Sequence, residues 1–368
     1  MLVKPIQNLG AMLATVLVAV LVSGNATAAE STAWFGVTQP TGMGDRHAPA
    51  VDIRQASPRA ATVPPEESGF VDLQGENIFP MVDRIVGFSR ESLAEGNRVW
   101  GRVTGFPSAQ RTLEWVAQEF RSAGLQDVAL QEYNSSGEFW WPHDWEVRLL
   151  GNEVFGPGSM DVVLESSLVT AGSEISGGSL VASPVFTGRI TEPVADTDIR
   201  GKIAVQLLTP QTGAYSDRTP TRERAQALMA KGAVAVINIV EQVGNMHTRD
   251  FSNCNGPCFN VGTDDGRFLR TVMEQAEQLG LQSQLQLRLS LDAATLTGLK
   301  GHNTVGIVDG TGSGNIIINA HADGWYDAAG DNADGLAVLI AMARHFALPA
   351  NRQPRTLVFV ASGGHHSP

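Results

Sequence analysis

Apolar positions divide this chain into stretches of different texture. At the N-terminus, Ala11 to Val22 is an uncharged apolar run behind Lys4, and Ala26-Thr27-Ala28 follows it. A positive start, a short apolar stretch and a small-x-small site form a secretory signal, so residues 1–28 are expected to be removed on export. The protein is then expected to be secreted or periplasmic. The run is too short for a membrane span and no later stretch approaches it, so the mature chain is expected to lack one. Glu30 to Glu67 is rich in Ala, Pro, Thr, Gly and Ser without periodicity, and residues 29–72 read as a linker or pro-segment.

Order is expected from near Ile78. Leu113, Val116 and Phe120 share one face of a helix that Ser108 can cap and Gly124 can end, and Val128 to Tyr133 reads as a strand. Between residues 156 and 299 short β-rich runs dominate, at Leu180 to Thr187 and Lys202 to Leu208. A helix from Thr221 to Gly232 feeds the apolar strand Ala233 to Val240. Another starts near Asp264-Asp265-Gly266, puts Phe268, Leu269, Val272, Ala276 and Leu279 on one side, and ends at Gly280. This is the texture of an α+β module inserted into another domain, which leaves residues 73–155 and 300–368 as the discontinuous outer domain.

The last stretch is the most regular. Asn315 to Asn319 carries three successive isoleucines and reads as a buried parallel strand. A loop over 321–330 leads to a helix from about Asn332 to Phe346, with Leu336, Leu339, Ile340 and Ala343 at helical spacing. Arg355 to Ala361 is a second buried strand. The βαβ unit so formed puts its loops where open α/β sheets bind ligands.

With 368 residues the chain is long enough for two domains. Its formal net charge of −12, or −13 once Lys4 leaves with the signal, argues against nucleic acid and anionic lipid as partners. The two cysteines, Cys254 and Cys258, are expected to form a disulfide in an oxidising compartment. A zinc knuckle would need two further ligands, and no other Cys exists.

Candidate chemistry gathers in the βαβ unit: His321-Ala322-Asp323, then Gly330-Asp331-Asn332-Ala333-Asp334-Gly335, then Gly363-Gly364-His365-His366. Imidazole and carboxylate are zinc ligands, and a carboxylate can bridge two metals about 3.5–4 Å apart. Singly, each has a plainer reading. Asp331 fits a helix N-cap, Asp327 and Asp334 fit solvated acids, His321 a structural histidine and His365-His366 a polar loop pair. If the metal reading holds, His321 and Asp331 should approach within about 6 Å at strand C-termini.

As a set, Asn315 to Gly364 resembles metallopeptidase family 28, the co-catalytic zinc exopeptidases that include bacterial aminopeptidases and carboxypeptidase Q. The family pattern is a buried strand, His-x-Asp, Gly-x-x-Asp-Asn-x-x-Gly opening a helix, and a strand ending in Gly-Glu-Glu. Here it is matched by INAHADGWYDAAGDNADGLAVLIAMARHF and RTLVFVASGGHHSP. Trp325 and Asp327 are similar to the carboxypeptidase Q-like branch. Upstream, Ile199-Arg200-Gly201-Lys202-Ile203 and KGAVAVINI are similar to a protease-associated domain.

The resemblance implies an α/β fold with a mostly parallel sheet, flanking helices and a protease-associated insert over 156–299. It implies zinc as cofactor and a peptide as substrate, cleaved by an exopeptidase of aminopeptidase or dipeptidase type. His321 would bind one metal, Asp331 would bridge two, and Asp323 would orient His321. The family's two glutamates, a general base and a ligand, fall on His365 and His366. The family also places further Asp and His ligands beyond Pro368, so a C-terminally incomplete domain is expected. A non-catalytic peptidase-like binding protein, or a fragment, is the alternative.

Overall fold

The computed structural model describes residues 32–40, 42, 63–135, 137–194, 198–209, 219–242, 244–248 and 254–366; the expected signal lies outside them. The first half of the chain forms α1 (Gly75–Ala94), β1 (Gly101–Arg102), α2 (Pro107–Ala123), β2 (Gln126–Asn134), β3 (Phe139–Leu149), β4 (Val162–Val163), β5 (Leu168–Val169), β6 (Ser179–Ala182) and β7 (Pro184–Arg189). Then come β8 (Ile203–Leu208), α3 (Thr219–Ala230), β9 (Ala235–Val240), β10 (Cys258–Val261), α4 (Thr263–Gln278), β11 (Leu287–Leu296) and β12 (Lys300–Val308). The chain continues through β13 (Asn315–His321), β14 (Gly324–Trp325), α5 (Asp334–Ala347) and β15 (Thr356–Ser362).

The outer part is built on a four-stranded sheet in the order β13-β15-β12-β2. The periodic face of α5 packs Leu336, Leu339 and Ile340 with Leu357 and Phe359 of the sheet, and α1 and α2 add Ile85, Val116 and Phe120. The sheet corrects the expectation of a mostly parallel arrangement. Only β13 and β15 run parallel, while β15–β12 and β12–β2 are antiparallel. A parallel pair needs a crossover, and α5 supplies the one found here.

Two local expectations also change. β13 is an edge strand rather than a buried one, and Ile317 is 70% exposed, because β15 covers one edge and α5 one face. Ser108 does not cap α2. Phe106 holds the cap position, Pro107 opens the helix, and the Ser108 hydroxyl donates to the Gly101 carbonyl at 2.6 Å. The other end is as the sequence suggests: Gly124 takes a left-handed φ of 87°.

The part over residues 156–299 contains the longer parallel run. Its five-stranded sheet has the order β5-β10-β9-β8-β7, in which β7, β8, β9 and β10 are mutually parallel. A second sheet, β4-β3-β11-β6, is antiparallel and shares a core with the first. Although β3 reads as part of the outer domain, it pairs along its length with β11 and buries Trp145, Val147 and Leu149 in the core shared by these two sheets. Leu279, expected on the packed side of α4, is exposed. Cys254 and Cys258 form a disulfide with Cα atoms 6.0 Å apart, inside a small core with Ala225 and Leu228.

A polar ladder crosses the parallel sheet. Arg224 Nε donates to Gln206 Oε1 (3.0 Å), Gln206 Nε2 to Asn238 Oδ1 (2.7 Å), Asn238 Nδ2 to Asn260 Oδ1 (2.9 Å), and Asn260 Nδ2 to the Thr248 carbonyl (2.8 Å). All three amides are buried and opposite one another in register. Asn238→Ala strands a donor on Gln206 and an acceptor on Asn260, so it is expected to cost about 3 kcal/mol. Chemical denaturation checks this, and a loss under about 1 kcal/mol would mean water satisfies both groups.

Residues 32–37 depart from the composition-based reading of a linker. Trp34 is 0% exposed, stacked on Phe155 at 5.3 Å between ring centroids and edge-on to Phe268 at 6.1 Å. No helix among the described residues is long and apolar enough to cross a membrane.

Candidate metal centre

Three segments meet at the carboxyl end of the β13–β15 pair. His321 closes β13 opposite Ser362, and His365 and His366 follow β15 by three and four residues. Between β13 and α5 the chain folds back in a wide turn, closed by the Ala333 N–H on the Ala328 carbonyl (3.0 Å) and containing a cis Asp331–Asn332 peptide. Gly335 permits the closure, since a Cβ there would lie 2.1 Å from Asn332 Oδ1. Asp331 consequently sits outside the helix. Ala333 holds the cap position, and the Asp331 carboxylate turns toward the imidazoles.

The distances are short. His321 Nε2 lies 3.1 Å from Asp331 Oδ1, and His366 Nε2 lies 3.3 Å from Asp331 Oδ2. One ring nitrogen from each of His321, His365 and His366 falls within 4.8 Å of the others. His365 therefore joins the cluster through its ring, with its centroid 4.2 Å from that of His321.

Asp323 supports the cluster from behind. It is 1% exposed, and its Oδ2 accepts the His366 N–H (2.7 Å) and the Thr104 hydroxyl (3.3 Å). His321 Nδ1 lies 3.0 Å from the Asp323 carbonyl oxygen and 3.4 Å from Oδ1. With its Nδ1 proton on that carbonyl, neutral His321 presents the Nε2 lone pair to the Asp331 carboxylate. Two acceptors facing each other need a cation between them. A proton is one answer: burial resists charging His321, but the Asp323 carboxylate and carbonyl, with Asp331, raise its pKa overall. A metal ion is the other.

The neighbours titrate accordingly. Burial lowers the His366 pKa against the pull of Asp331 and Asp323. Burial works against ionised Asp323, yet hydrogen bonding to His321 and to the His366 and His365 backbones leaves its pKa lowered. His366 Nε2 is buried and has the Asp331 carboxylate, 3.3 Å away, as its facing group.

The sequence reading passed over Arg102. Its guanidinium is fully buried behind the loop, where Nε donates to the Ala322 carbonyl (2.8 Å), Nη1 to Ser89 Oγ (2.7 Å) and the Asp327 carbonyl (3.1 Å), and Nη2 to the Ala328 carbonyl (3.1 Å). Burial lowers its pKa to about 10, while Asp323, Asp327 and Asp331 hold the charged form in place. A charged residue between Trp100 and Val103 was the available signal, since a buried cation needs several acceptors. Asp327, expected to be a solvated acid, accepts from Arg90 Nε on α1 at 2.9 Å. A cleft of about 330 Å³ opens beside Asp323, lined in part by Thr104, Phe106, Leu113, His302 and Gly363.

Residues 303–365 match peptidase family M28. That segment holds β13 to β15 with most of β12, and four of the five candidate residues, His366 lying just outside it. No curated protein matches the chain. Among solved structures, it is similar to a peptidase M28 precursor from Shewanella amazonensis (17% identity, TM-score 0.53, covering 80% of this chain and 67% of that one). It is also similar to an aminopeptidase from Aneurinibacillus (19% identity, TM-score 0.50, covering 79% and 63%). A zinc aminopeptidase from Bacillus subtilis gives 22% identity and TM-score 0.50, covering 76% and 61%. At these identities the likeness is one of fold. The chain spans 63% and 61% of the lengths of the two aminopeptidases.

Proposed function

We propose that the chain is a zinc-dependent exopeptidase of the M28 type, acting on the end of a peptide as an aminopeptidase or dipeptidase. The carrying observation is the convergence of His321, Asp331, His365 and His366 at the ends of two parallel strands, inside the segment that matches the family. The donor set suits zinc, and the Nε2 atoms of His321 and His366 both face the Asp331 carboxylate. His321, Asp331 and His366 would hold it, and zinc, when bound, supplies Lewis acidity toward water and a substrate carbonyl.

The protein's own groups do the rest. Asp323 fixes the His321 ring and the His366 backbone. The exposed His365 can take a proton from attacking water. The β-rich part over 156–299 is read as a protease-associated insert, on the likeness of KGAVAVINI and Ile199 to Ile203 to that domain. Export is supported by the signal pattern before residue 28 and by the Cys254–Cys258 disulfide.

A second reading, a peptidase-like protein that binds without turnover, is favoured by His365 and His366 where the family carries carboxylates. Hydrolysis of aminoacyl and dipeptide substrates with added zinc separates the two. The exopeptidase reading predicts turnover that is slow, lost on chelation and lost in His321→Ala. Peptide binding with no zinc-dependent cleavage would sustain the second.

A further inference from the structure

We propose that Thr104 is a positioning residue for the candidate metal centre. Its buried hydroxyl clasps the turn that carries His365 and His366 to Asp323, and so holds His366 and His321 at one spacing around Asp331. The inference rests on reading this cluster as a metal site.

The need for a clasp follows from where the sheet stops. Ser362 is the last residue of β15 in register with both neighbours, opposite Asn303 on β12 and His321 on β13. Beyond it the chain turns. Gly364 takes a left-handed φ of 83°, and a Cβ on Gly363 would lie 2.7 Å from the His302 carbonyl oxygen. Side chains from three separate places take over from strand pairing here. The Gly363 N–H donates to Asn303 Oδ1 (3.0 Å) as well as to the His302 carbonyl, the Gly364 N–H to Thr104 Oγ1 (2.9 Å), and the His366 N–H to Asp323 Oδ2 (2.7 Å).

Thr104 ties the others together. A hydroxyl has one proton and two lone pairs. This one accepts the Gly364 N–H and gives its proton to Asp323 Oδ2, the same oxygen that holds the His366 backbone. The carbonyl and the other carboxylate oxygen of Asp323 face His321 Nδ1. A single hydroxyl on a 3% exposed residue thus joins the segment after β15 to the segment after β13.

A local role does not account for it. Thr104 lies between β1 and α2, two residues before the Phe106 cap, yet α2 has no side-chain cap hydrogen bond. It also lies two residues past Arg102, so one short stretch holds the 322–328 loop with a guanidinium and the histidine turn with a hydroxyl. Valine at this position keeps the shape of threonine, strands the Gly364 N–H and leaves Asp323 Oδ2 one donor short. The turn then loosens around His366 while His321 stays on β13.

Amide hydrogen exchange on the metal-free full chain, and its titration with zinc chloride, test this without reference to activity. Thr104→Val should speed exchange at Gly364 and His366 about 10-fold, the scale of one lost hydrogen bond. It should weaken zinc binding about 10-fold or more, as expected on losing a partner behind a ligand. Thr104→Ser keeps the hydroxyl and should restore most of both, and Thr104→Ala gives the same comparison where valine prevents folding. Thr112→Val removes another fully buried threonine hydroxyl, one that donates to the Ser108 carbonyl within α2, and should change neither. Unchanged exchange at the turn, or unchanged zinc affinity in Thr104→Val beside a parent chain that binds zinc, would overturn the assignment and leave the metal reading standing. A parent chain that binds no zinc, with faster exchange in Thr104→Val, would overturn the metal reading and uphold the clasp.

Discussion

Arg102→Met is expected to lower the unfolding free energy by about 4 kcal/mol and to weaken zinc binding about 10-fold or more. The side chain is fully buried and donates to three loop carbonyls, those of Ala322, Asp327 and Ala328, and to Ser89. Methionine fills similar space but donates nothing, so each stranded acceptor costs about 1–3 kcal/mol unless water reaches it. Those carbonyls lie in the loop that runs from His321 to Asp331, and loosening it separates the two metal-facing groups. Arg102→Lys should recover only part of the loss, because one ammonium cannot span the same fan of acceptors. Denaturant titration of each variant, with zinc affinity measured under folding conditions, gives both numbers. A destabilisation under about 1 kcal/mol with unchanged zinc affinity would show that the loop holds its shape without the guanidinium.

Trp34→Ala is expected to cost about 3–5 kcal/mol, the range for emptying a buried aromatic site. The indole stacks on Phe155 and meets the edge of Phe268, its backbone N–H donates to Ser159 Oγ (2.9 Å), and its Nε1 donates to the Met160 carbonyl (3.2 Å). The strap lies so close that a Cβ on Gly156 would sit 2.2 Å from the Thr32 carbonyl oxygen. Residues 153–160 and α4 thus form a socket for a segment whose composition suggests a linker or pro-segment. Trp34→Phe should keep most of the stability. Thermal unfolding distinguishes the cases, since a loosely attached linker would leave the transition where it was in both variants.

These two sites also mark where the sequence was legible and where it was not. The βαβ unit could be read directly, because the Ile316–Ile318 run, the spacing of Leu336, Leu339 and Ile340, and the second apolar strand all obey local periodicity. Partner choice does not. β3 finds β11 across more than a hundred residues of chain, and the antiparallel pairing of β12 with β15 is set by packing rather than by either strand's own pattern. The exposure of Ile317 follows from a position at the sheet edge, which side-chain alternation does not encode.

At the site, His321, Asp323 and Asp331 stood out by their spacing, but Asp331 was ambiguous because Asp suits both a helix cap and a metal. The turn over 329–333 decides it, by carrying the carboxylate clear of the helix end. Arg102 and Trp34 were illegible for a shared reason. Each is a single residue whose role depends wholly on distant chain: Arg102 on carbonyls from 322 to 328, Trp34 on Phe155 and Phe268.

Anomalous diffraction at the zinc edge from zinc-soaked crystals tests the central claim most directly. The account predicts zinc at the carboxyl end of the β13–β15 pair, bound by His321, Asp331 and His366. An absence of zinc at this position, with these side chains free and the ion elsewhere on the surface, would contradict the assignment of a metal centre to the β13–β15 crevice.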